Sequence, residues 1–105
     1  MREVEFKAPG SMQLTHIDSE IESACAAEGL QIGMKGTLAS FPGSIHWHFK
    51  RPSERGTLEI TVFPRDRRIW AQIQKGRRAD WIEPCLEKIK YAVEAKLRES
   101  PESTS

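Results

Sequence analysis

The sequence predicts an α+β domain built as helix, four-stranded antiparallel meander, helix, with both helices packed on one sheet face and the other face open. Three observations predict it. Apolar residues recur at helical spacing towards both ends of the chain. Between them, apolar and polar residues alternate at period two, and short polar turns divide that stretch into four.

The first helix is expected to run from about Met12 to Glu28. Leu14, Ile17, Ile21, Ala24 and Cys25 form its apolar stripe, Asp18, Glu20 and Glu22 its wet side, and Gly29 follows as a left-handed terminator. From Leu30 the period changes. Leu30, Ile32, Met34 and Leu38 alternate with Gln31, Gly33, Lys35 and Thr37, and Pro42-Gly43 turns the chain. Ile45, Trp47 and Phe49 make the next inward set, opposed by His46, His48 and Lys50. Leu58, Ile60 and Val62 follow the polar stretch 51–56, and Ile69, Ala71 and Ile73 follow the turn at Pro64-Arg65-Asp66. Gly76 ends the last strand. Ile82, Cys85, Leu86, Ile89, Val93 and Leu97 then form the stripe of a second helix, whose first turn tolerates Pro84 because it has no intrahelical donor to lose.

Residues 12–99 therefore read as one domain, and a chain of 105 residues fits one domain on length. Residues 1–11 read as a separate N-terminal segment, flexible or a short strand at Val4 and Phe6, and the polar tail 100–105 is expected to be disordered. Arg2, Glu3, Glu5 and Lys7 leave no apolar heart for a secretory signal, and no apolar run approaches the roughly 18 residues of a membrane span. A cytoplasmic protein with no membrane partner is expected. Cys25 and Cys85 have no C-x-x-C spacing and fall on helix stripes, as buried thiols do. The glycines form no phosphate-loop pattern, so no cofactor is expected.

The net charge of +1 conceals an uneven distribution. Residues 1–45 carry three basic and six acidic side chains, residues 46–78 nine and three, and residues 79–105 four and six. A basic middle between acidic ends points to an anionic partner.

Centring each hairpin on its turn places Lys35 beside His48, His48 beside Glu59, and Glu59 beside Gln72. The next row is Thr37, His46, Thr61 and Trp70. Three readings compete for this outward face. In the leading one the chain is a non-enzymatic module binding nucleic acid or another anionic partner. Nine cations lie on or beside the sheet: Lys50, Arg51, Arg55, Arg65, Arg67, Arg68, Lys75, Arg77 and Arg78. Arg68 and Trp70 are expected at the contact, with Lys50, Arg65, Arg67, Arg77 and Arg78 as a phosphate-holding rim and His46 and His48 in the middle. The second reading is a metal-binding or hydrolytic enzyme. His46 and His48, two apart on a strand, project to one face, and Glu59 is a third ligand or an orienting carboxylate. Lys35 and Lys50 disfavour a cation there, so no metal is assigned. The third is a homo-oligomeric interaction protein, with Trp70 and Phe63 at a homodimer interface.

Overall fold

A computed structural model describes residues 2–8 and 16–99. Its strands and helices are β1 (Arg2–Phe6), α1 (Ile17–Ala27), β2 (Gln31–Gly36), β3 (Ile45–Lys50), β4 (Leu58–Phe63), β5 (Arg68–Ile73) and α2 (Ile82–Glu99). All strands pair antiparallel in one sheet of order β1-β5-β4-β3-β2. The class is α+β, but the sheet has five strands rather than four. β1 supplies the fifth by pairing with β5, Val4 opposite Ala71 and Phe6 opposite Ile69. The expected helical turn at residues 12–15 and the expected disordered tail lie outside the described residues.

Side chains from both helices and from alternate strand positions form one buried cluster. Ile17, Ile21 and Cys25 of α1 meet Trp47, Phe49, Leu58, Ile60, Val62, Ile69 and Ala71 of the sheet, and Ile82, Cys85, Leu86, Ile89, Val93 and Leu97 of α2. Each large apolar side chain fully buried this way stabilises the fold by about 1.5–3 kcal/mol. Trp47 keeps its indole N–H satisfied by donating to Glu22 Oε2 at 2.9 Å. Burial pushes the Cys25 thiol up to about 12, with Cys85 and nearby carboxylates adding to the rise.

Two expectations are corrected. The first concerns β2. A bulge between Ile32 and Met34 shifts its register, so Met34 rather than Lys35 lies opposite His48, and Gly36 lies opposite His46. Glycine permits this irregularity at position 33, where a β-carbon would press on the Lys50 stem at 3.3 Å. Lys35 is moved to the helix side, where its ammonium meets Glu22 at 2.7 Å. Ile32 and Met34, expected inside, are 46% and 41% exposed.

The second concerns the outward face, which is not open at its centre. Trp70 is 3% exposed, His46 4% and Glu59 5%, and Thr61 is fully buried. The β2–β3 connection folds back over the strands. Two backbone turns, Phe41 N–H to the Leu38 carbonyl and Ser44 N–H to the Phe41 carbonyl, and the Leu38 N–H bond to Ser44 Oγ fix its shape. Phe41 then packs edge-on against both Phe63 and Trp70, with ring centroids 5.2 Å apart in each case. Alternation identifies which residues share a face. It carries no information about a loop that covers them.

Candidate anion-binding cleft

The antiparallel order sorts the basic residues to two ends of the sheet. Arg65 and Arg67 belong to the β4–β5 turn, and Arg68 begins β5. Lys50 at the end of β3, Arg55 just before β4, and Arg77 just after β5 gather at the other end. Six strand residues separate the ends, roughly 20 Å.

At the β4–β5 end the cations are engaged locally. Arg68 donates from Nε and Nη2 to the two oxygens of Glu5, each at 3.0 Å, and lies 3.7 Å from Glu3. Its guanidinium also stacks over Trp70, 4.3 Å from the ring centroid. The two residues expected to share a ligand are therefore partners of each other. Arg65 pairs with Asp66 at 3.2 Å and stacks over Phe63. Arg67 adopts a left-handed φ of 55° that closes the hairpin, its N–H donating to the Pro64 carbonyl. Trp70 is thus not available as a stacking platform.

The opposite end holds a cleft of about 510 Å³ lined by Gly33, Met34, His48, Lys50, Arg55, Gly56, Thr57, Gly76 and Arg77. Three of these are permanent cations and none is an acid. Several contacts build it. The Thr57 N–H donates to the Arg77 carbonyl, tying the 51–57 loop to the turn Lys75–Arg77. Trp81, at the start of α2, donates its indole N–H to the Arg55 carbonyl at 2.7 Å, and Arg51 lies over the same ring. Gly56 is needed at the junction. Its φ is +102°, and a β-carbon there would stand 2.7 Å from the Ala79 β-carbon. Lys50 Nζ is aimed by a 3.2 Å hydrogen bond to the Thr57 hydroxyl.

Behind the cleft lies a polar cluster in two adjacent rows. His48, Glu59 and Gln72 stand in register across β3, β4 and β5, and His46, Thr61 and Trp70 form the neighbouring row. The sequence placed both rows correctly across these three strands. His46 Nε2 is 3.4 Å and His48 Nε2 3.8 Å from the same Glu59 oxygen, Oε1. Arg77 Nη1 is 3.4 Å from Glu59 Oε2 and 3.4 Å from His48 Nδ1. His46 Nδ1 is hydrogen-bonded to the Thr61 hydroxyl at 2.7 Å. Burial pushes the pKa of His46 below the ordinary histidine value. Glu59 opposes that shift and His48 adds to it.

Of the residues singled out from sequence, the cleft brings together Lys50, Arg77 and His48, with His46 beside His48 at a ring separation of 5.1 Å. It leaves out Arg65, Arg67, Arg68 and Trp70. Arg78 lines a separate hollow of about 280 Å³ that contains Asp80 and Glu83. Arg55 was counted among the basic residues but not among those expected at the contact. Its neighbour Gly56 is the available signal, because a glycine in a loop at that end of the meander permits the close approach to Ala79 and the Arg77 carbonyl seen there.

Comparison with protein-family models, curated proteins and solved structures finds no match. Among the described residues, no helix is long and apolar enough to cross a membrane.

Proposed function

We propose that this protein is a non-enzymatic binding module that holds an anionic group of its partner, such as a phosphate of single-stranded nucleic acid, in the cleft between Lys50, Arg55 and Arg77. The observation that carries this reading is the lining itself: three cations from three separate segments converge, with no carboxylate on the cleft wall. Charge-assisted hydrogen bonds from lysine and arginine to phosphate are among the stronger polar contacts, and the guanidinium fork suits a phosphate edge. The site lies at one end of the sheet instead of across its face, because the Arg68–Trp70 region is internally paired.

The test is fluorescence anisotropy of a labelled single-stranded oligonucleotide against the chain. Binding is expected at low salt, with a log–log salt slope of about −0.7 per phosphate contacted. A Lys50→Ala/Arg55→Ala variant should abolish most of it, and Arg68→Ala should not. Loss with Arg68→Ala alone would contradict the reading.

A second reading, pairing of two copies along β2, is favoured by the exposure of Ile32 and Met34 on that edge strand. Sedimentation of wild type against Ile32→Lys separates a dimer from a monomer.

A further inference from the structure

We infer that His46, His48 and Glu59 form a binding site for a divalent transition-metal ion, best suited to Zn2+, behind the cleft wall and reached from the cleft through His48. One ligand atom from each of the three side chains can be chosen so that all lie within 4.8 Å of one another. The finer geometry is more telling. Both Nε2 atoms face one carboxylate oxygen, at 3.4 and 3.8 Å. Around a tetrahedral Zn2+ with bonds near 2.0–2.1 Å, neighbouring ligand atoms stand about 3.4 Å apart. Small movements of His48 would bring its nitrogen to that spacing.

A second, independent observation concerns His46. It is buried, and its Nδ1 is held by the Thr61 hydroxyl at 2.7 Å. When Nδ1 carries the proton and donates it to Thr61, the Nε2 lone pair is left directed at Glu59. Metal-ligating histidines are oriented in this way, by a hydrogen bond from the other ring nitrogen. Two imidazoles and a carboxylate are a donor set for zinc-like ions rather than for calcium or magnesium, which take oxygen ligands.

Arg77 is the competing cation. Its Nη1 sits 3.4 Å from Glu59 Oε2, giving the buried carboxylate a positive partner. The side chain is 48% exposed and hangs from a one-turn helix at the cleft. It can swing outwards when an ion takes over the carboxylate. The fourth coordination position then opens towards the cleft that His48 lines. With three protein ligands and an open position, the site resembles in stoichiometry those where zinc binds a water or an exogenous anion.

The experiment is calorimetric titration of the untagged full chain with Zn2+ in a non-coordinating buffer, repeated for His48→Asn, Glu59→Gln and Arg77→Gln. One ion per chain is expected, with selective perturbation of the His46 and His48 imidazole NMR signals. His48→Asn and Glu59→Gln should each weaken binding about tenfold or more. Arg77→Gln should tighten it, since a competing cation is removed, whereas the same variant should weaken anion binding. His48 is partly exposed, so His48→Asn tests the ligand without emptying the core. Unchanged affinity in both ligand variants, no imidazole perturbation, or no uptake at millimolar Zn2+ would overturn the proposal. No oligonucleotide is present, so failure here leaves the anion-binding reading standing, and failure of that reading leaves this one standing.

Discussion

The guanidinium of Arg77 lies 3.4 Å from the carboxylate of Glu59, pairing a side chain on the cleft wall with one buried in the sheet. The pair couples the two parts of the site. Glu59 and His48 hold Nη1 of Arg77, and the same side chain lines the cleft. Arg77→Gln is therefore expected to reduce oligonucleotide affinity severalfold and also to lower the urea midpoint, since it leaves the buried Glu59 carboxylate without its cationic partner. Anisotropy and urea denaturation on the same samples check both halves of that expectation.

Trp70 gives the sharpest contrast between an open and a covered sheet face. An exposed tryptophan could be truncated at little cost. As placed, under Phe41 and Arg68, Trp70→Ala should destabilise the protein by about 3–5 kcal/mol. All three tryptophans are buried, so native emission should be blue-shifted and poorly quenched by acrylamide. Efficient quenching of a third of the emission would show that the face is uncovered.

Gly56 and Gly29 make a matched test of backbone constraint. Both have positive φ, but a β-carbon at Gly29 meets nothing within 4 Å, while at Gly56 it collides with Ala79. Gly29→Ala should cost about 1 kcal/mol, and Gly56→Ala clearly more, because strain and overpacking combine. Urea denaturation of both variants reads the difference. Equal effects would mean that the loop yields freely.

Glu22 links stability to pH. The hydrogen bond from Lys35, followed by that from the Trp47 indole, holds its carboxyl below the ordinary glutamate value. A depressed folded-state pKa contributes stability that is complete above the unfolded value near 4.5 and is lost as pH falls through the folded value. Wild type should exceed Glu22→Gln by about 0.5–1 kcal/mol at pH 7, and the gap should close below about pH 4. A gap independent of pH would rule out the charge as its source.

Much of the sheet was legible because period-two alternation is a direct imprint of one-sided burial. The rows His48–Glu59–Gln72 and His46–Thr61–Trp70 follow from counting back from the turns. The count failed at β2, where a bulge beside Gly33 inserted a residue and sent Met34 and Lys35 to opposite sides from those expected. β1 was hard to read because Glu3 and Glu5 make one side of it charged, and its partner β5 is over sixty residues away. The site was half legible. The cations were plain, but whether each is free depends on partners distant in sequence. Glu5 for Arg68 and Glu59 for Arg77 become visible only once strands are paired. The cover provided by Phe41 left no periodic trace at all.

The most direct test of the central claim is a residue-resolved NMR titration with a short single-stranded oligonucleotide at low and moderate salt. Shifts are expected at Lys50, Arg55, Thr57 and Arg77, fading as salt rises, with little change at Arg65, Arg68 and Trp70. Shifts centred on Arg68 and Trp70, or none even at low salt, would contradict it.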